Sequence, residues 1–169
     1  MGSIDSELPL ARQTTYAATK AGVLSMGRSR NAELHLNGED GLIKVATIMP
    51  WAVDTTRWIH AANYSGHQPR MVTMDDPTID SDAIVRACID PQQEIPVVAK
   101  AATADVSHGI FPELTERLAA RCQGSEAWKA GPSPPTSGSS YEPMQEGSGI
   151  GGGIRERIRQ QDRAATGRR

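Results

Sequence analysis

The longest regular pattern of apolar and polar positions runs from Thr14 to about Leu36, where "YAATKAGVLSMGRSRNAELHL" is alanine-rich and free of proline. Ala17, Ala21, Leu24 and Leu34 fall on one helical face, so this segment predicts a helix that stops at Asn37-Gly38. The pattern then changes period. In "GLIKVATIMP", Leu42, Ile43, Val45, Ala46, Ile48 and Met49 form a β-prone run closed by Pro50, which predicts a mostly buried strand over 42–49. Residues 51–80 hold Trp51, Trp58, Tyr64 and several prolines without a sustained period, and read as a long loop with a short helix near 56–62. A second helix is predicted over 80–90, capped by Asp80 or Ser81, with Ile84, Val85, Cys88 and Ile89 as its apolar face. "EIPVVAKA" supplies a second strand near 94–99, weakened by Pro96, and "FPELTERLAARC" a later helix with Pro112 in its first turn. This succession points to an α/β fold.

From Gly124 onward the chain is rich in Gly, Ser and Pro, too poor in apolar surface to offset its entropy, and 124–169 is expected to be a disordered tail. The closing "IRERIRQQDRAATGRR" is basic, but Ile154 and Ile158 alone make a thin apolar stripe for a membrane or partner helix. Gly147, Gly149 and Gly152 spell G-x-G-x-x-G. A phosphate-binding loop of that pattern needs a buried strand immediately before it, and "SSYEPMQE" is polar and broken by Pro143. The match reads as low-complexity coincidence.

Composition narrows the classes. With 169 residues, 38% hydrophobic and a single Phe, the chain fits one domain, 1–123, with a modest core. A formal net charge of -2 gives no case for nucleic acid or an anionic membrane. Cys88 and Cys122 lack metal-ligand or disulfide-scaffold spacing, so no metal site is expected. No apolar run approaches the roughly 20 residues that span a bilayer, and the N-terminus lacks the order of a signal peptide, so a cytoplasmic protein is expected.

Chemistry enters with "QTTYAATKAG". Tyr16 and Lys20, four residues apart, share a helix face and can aim their polar ends at one point. A phenol is a poor base near neutral pH unless a nearby cation favours the phenolate, and Lys20 is placed to do that. A third group is needed to hydrogen-bond the reacting oxygen, and Ser3 lies 13 residues before Tyr16.

Ser3, Tyr16 and Lys20, followed by "PWAVDT" after a buried strand, resemble the catalytic half of a short-chain dehydrogenase/reductase over roughly residues 1–120. The resemblance implies a partial Rossmann-like fold, the C-terminal part of a doubly wound parallel sheet with about two strands plus helices. It implies NAD or NADP as cofactor and a small-molecule carbonyl or alcohol as substrate. Tyr16 would be the general acid/base, Lys20 would support it and reach the cofactor ribose, and Ser3 would hold the substrate oxygen. Pro50, the Val53 backbone and Thr55 would meet the nicotinamide carboxamide. Trp51 departs from the glycine usual after that proline. The Tyr/Lys helix often lies in the family's dimer interface, which leaves homo- or hetero-oligomers open. Residue 1 falls directly before the serine, so the family's cofactor-phosphate half is expected to be missing and the chain, read as truncated, to be inactive alone. The alternative is a non-catalytic module that docks on a full-length relative.

Overall fold

The computed structural model describes residues 1–166. Among these, six α-helices and one two-stranded parallel sheet make an α/β chain, divided into two compact units. Among the described residues the first comprises 1–51 and 78–121 and the second 52–77 and 122–166, so the division does not follow the composition change near residue 124.

In the first unit, α1 (Thr14–Leu36) forms where the alanine-rich run predicts it. Gly38 ends it in the left-handed region, at φ 71°. The Gly38 amide donates to the His35 carbonyl and the Glu39 amide to Leu34, the paired bonds of a Schellman stop. Ala17, Leu24, Gly27 and Leu34 are buried, but Ala21 is exposed. The seam passes through Gly27, where a Cβ would lie 2.6 Å from Thr47 Oγ1, whereas Gly22 has open space around it. Gly27→Val is therefore expected to cost about 1–3 kcal/mol by overpacking. Gly22→Ala is expected to stabilise by about 0.5–1 kcal/mol through helix propensity, with denaturant midpoints as the check for both.

β1 is only Thr47–Met49, not 42–49. Leu42 and Ile43 belong to the turn after α1, their amides donating to the Glu39 carbonyl, and their side chains are exposed. Val45 satisfies its backbone on one side chain instead of a strand, since Asn31 both donates to its carbonyl and accepts from its amide. β1 pairs in parallel with β2 (Glu94–Pro96), in the register Thr47 with Glu94. The predicted strand over 94–99 is cut short because the chain enters an unforeseen helix at Ala99.

The ladder bonds Thr47 N–H to Gln93 carbonyl and Val97 N–H to Met49 carbonyl turn residues 93, 95 and 97 toward β1. Pro96 therefore directs its missing donor at the open edge, where it weakens no ladder bond and discourages further pairing. On the other side of β1, the Gly2 amide donates to Ile48 and the Ile4 amide to Pro50. This short run alongside β1 leads into a 3-10 turn at Ile4–Ser6. Ile4, Leu8, Ala17, Leu24, Leu34, Ile48, Met49 and Ala101 supply this unit's buried apolar side chains.

α2 is Arg57–His60 and α3 is Pro77–Ala87. α3 starts earlier than the predicted 80–90, with proline in its first turn, and its predicted apolar face is exposed: Ile84 44%, Val85 63%, Ile89 83%. Ile79, Ala83 and Arg86, on a different face, line a groove with Ile95 and Val97 of the β2 segment. α4 (Ala99–Ile110) and α5 (Pro112–Lys129) follow.

The second unit contains the 52–77 loop, the end of α5 and α6 (Ile154–Thr166). Composition alone gave this C-terminal stretch no structure. Here backbone pairing replaces apolar burial: Asn63 and Thr136 exchange amide–carbonyl bonds at 2.8 and 2.9 Å, and Gln68 donates to Gly131 and Ser133 to Gly66. Met71, Ala130 and Ile154 are its buried apolar residues, beside buried Asp54, Arg70 and Glu126. The last three residues of the basic segment lie outside the described residues. No helix among the described residues is long and apolar enough to cross a membrane.

Candidate functional site

Ser3 is the N-cap of the 3-10 turn and is buried. Its Oγ accepts from the Asp5 amide at 3.3 Å and its own amide donates to Ser6 Oγ at 3.1 Å, a reciprocal capping arrangement. Because a hydroxyl both donates and accepts, the cap leaves the Ser3 proton able to point at another oxygen. Ser6 thus caps the turn.

Tyr16 and Lys20 occupy successive turns of α1 and are both half-buried. Lys20 Nζ lies 5.6 Å from the centre of the Tyr16 ring. It also donates to the Met1 carbonyl at 3.1 Å, two residues ahead of Ser3. The Ile4 amide, just after Ser3, donates to the Pro50 carbonyl at 3.0 Å. Lys20 and the Ser3 segment are thus brought together beside β1, with Pro50 marking the strand's carboxyl end. In open parallel α/β sheets that end is where ligands are received. Trp51 lies beneath the Lys100 ammonium, 5.8 Å from its ring centre.

Val53 and Thr55 belong to the second unit. Val53 bridges to Asp75, and its carbonyl accepts from the Thr55 amide at 3.0 Å and from Trp58 Nε1 at 2.7 Å. Thr55 pairs antiparallel with Gly151. Arg57 lies over the Trp58 ring at 4.8 Å, and the Trp58 Nε1 bond to Val53 pins the turn. Asp54, which the sequence reading did not single out, is 7% exposed, and its carboxylate accepts from the Ile154 and Arg155 amides at 3.0 Å each. No linear signal could mark it, because its partners lie about a hundred residues away in the chain.

The α1 donor set, an ammonium and a phenol on one helix face, suits a pair of sugar hydroxyls such as those of the implied nicotinamide cofactor. The 53–55 turn does not offer its carbonyl acceptor in this arrangement, because internal donors already hold it. No cluster of three or more metal-ligating side chains occurs among the described residues.

No family model matches the chain, and no solved structure matches it. The chain is similar to the uncharacterized oxidoreductase YxnA of Bacillus subtilis (strain 168), with 27% identity over 120 residues. That stretch is 70% of this chain and 33% of YxnA, so the chain spans about a third of the length of its curated relative.

Proposed function

We propose that this chain carries the proton-transfer part of an NAD(P)-dependent short-chain dehydrogenase/reductase site acting on a carbonyl/alcohol pair, within a Rossmann-like sheet. The supporting observation is the α1 geometry: Tyr16 and Lys20 on one face, with Lys20 bonded to the carbonyl two residues ahead of buried Ser3. Similarity to an oxidoreductase agrees with it.

In the reducing direction Tyr16 Oη gives its proton to the substrate carbonyl oxygen as that oxygen gains charge, and in the oxidising direction it takes the alcohol proton. Lys20 lowers the electrostatic cost of the phenolate. Ser3 Oγ, oriented by the Asp5 amide, donates to the same substrate oxygen. The nicotinamide, when bound, supplies or accepts the hydride.

The reading is tested by calorimetry with NADH and NADPH on two proteins: the chain itself, and a chimera in which it replaces the stretch of YxnA that it matches. The chain alone is expected to show no saturable binding, because a buried strand does not lead into its one G-x-G-x-x-G run and the Val53 carbonyl is internally held. The chimera is expected to bind the cofactor and to consume it with simple aldehydes or ketones. A folded chimera that binds neither cofactor overturns the proposal.

A further inference from the structure

The glycine run that fails as a phosphate loop has a different use in the second unit. Residues 146–157 lie along the turn that starts at Val53. The Glu146 carbonyl is 2.7 Å from His60 Nε2, Gly151 pairs with Thr55, and the Gly152 amide donates to the Asp54 carbonyl at 3.3 Å. The first two amides of α6 donate to the Asp54 carboxylate, which places a fixed anion against the positive end of the helix. Arg155 pairs with Asp76 at 2.7 Å, and Arg157 donates to the Pro69 carbonyl at 2.7 Å.

The glycines themselves discriminate. A Cβ at Gly152 would lie 2.4 Å from the Thr55 carbonyl oxygen, and one at Gly147, where φ is 75°, would lie 2.9 Å from His60 Nε2. A Cβ at Gly149 would meet nothing within 4 Å. Two of the three motif glycines are therefore needed for close approach to the chain's own 54–60 segment.

We propose that the glycine run 147–153 is a releasable strap that covers the Val53–Thr55 turn and must detach before a ligand can meet the backbone of that turn. Naming the ligand as a nicotinamide carboxamide rests on the functional reading above, but the strap does not. Its own ties are polar backbone and side-chain bonds and the flanking Arg155–Asp76 pair is partly exposed and screened by salt, while buried Ile154 and the bonds of Arg70 to Gln161 and Asp162 keep α6 in place.

Hydrogen exchange followed by mass spectrometry on the full-length chain tests the strap. Gly152→Ala, and independently Arg155→Glu, which faces Asp76 with a like charge, are expected to raise exchange in peptides covering 53–60 and 147–158 by about tenfold or more. Gly149→Ala is expected to exchange like the parent. Unchanged exchange in both disruptive variants, or an equal rise in Gly149→Ala, overturns the proposal. Should Gly152→Ala unfold the whole unit, exchange would also rise throughout 122–146, and Arg155→Glu then decides.

In the YxnA chimera, Gly152→Ala is expected to tighten NAD(P)H binding several-fold relative to Gly149→Ala. Unchanged or weaker binding there would defeat the covering role. A chimera that binds no cofactor in any version defeats the functional reading instead, and the exchange experiment alone then decides the strap.

Discussion

Tyr16→Phe in the YxnA chimera is expected to lower NAD(P)H-dependent carbonyl reduction by about 10²–10⁴-fold, the range that a positioned general acid contributes. The substitution removes one hydroxyl and keeps the half-buried ring, so the α1 seam through Ala17 and Leu24 should hold and the melting temperature should not move. That separation matters, because an ordinary packing role for Tyr16 predicts unchanged turnover. Lys20→Met adds a second test. If Lys20 only caps the Met1 carbonyl, its loss affects stability alone. If it supports the phenolate, turnover falls, and most in the oxidising direction. Steady-state rates in both directions, with cofactor affinity and melting temperature measured separately, distinguish the two. Turnover in Tyr16→Phe within a few-fold of the parent would remove Tyr16 from the chemistry.

How much of this was legible in the sequence differs by element. The extent of α1 could be read because alanine content, the absence of proline and Asn37-Gly38 all favour the same helix, and the Schellman bonds at Gly38 bear this out. The strands were overestimated for a local reason. Leu42 and Ile43 have the right residue types, but the turn closing α1 claims their amides, and Asn31, fourteen residues before Val45, claims the backbone of Val45. The exposed face of α3 shows that apolar spacing defines a stripe without saying whether anything lies on it. For the candidate site, the i, i+4 spacing put Tyr16 and Lys20 on one face, and that contact follows from helix geometry alone. The bonds of Lys20 to Met1 and of Ile4 to Pro50 are tertiary and had no linear signal. The second unit was least legible, because composition measures apolar content, while that unit is joined by amide–carbonyl pairs and buried charges that need specific partners far apart in the chain.

Arg70 is the most consequential of those charges, and Arg70→Ala is expected to destabilise the second unit by about 3 kcal/mol. Arg70 is 6% exposed, and its guanidinium donates to Glu126 at 2.7 Å, to Gln161 at 3.2 Å and to Asp162 at 2.6 Å, so one side chain joins the 52–77 loop to α5 and α6. Burial alone would make Arg70 a weaker cation, but its hydrogen bonds to Glu126 and Asp162 more than reverse this and hold its pKa above the ordinary value. Burial likewise opposes ionisation of Glu126, yet Lys129 and Arg70 together keep its pKa below the usual 4.5. Removing Arg70 leaves Glu126, itself 7% exposed, with Lys129 as its remaining partner in this cluster. The cost arises mainly from that under-compensated carboxylate. Asp162, whose side chain is 56% exposed, can turn to water, which keeps the figure at the lower end for a broken buried pair. The pH dependence has a fixed sign. Because the folded pKa of Glu126 is depressed, its contribution is fully present above about pH 4.5 and is lost as pH falls through the lower folded value. Acid should therefore loosen the parent's second unit, and Arg70→Ala should flatten that response. The double variant Arg70→Met with Glu126→Leu removes both charges together and should recover most of the lost stability, because no buried ion is left unpaired. Hydrogen exchange of 122–166 against 14–36 within the same molecule reads the effect in one experiment. Equal losses in both segments, or no recovery in the double variant, would show that Arg70 acts through something other than its carboxylate partners.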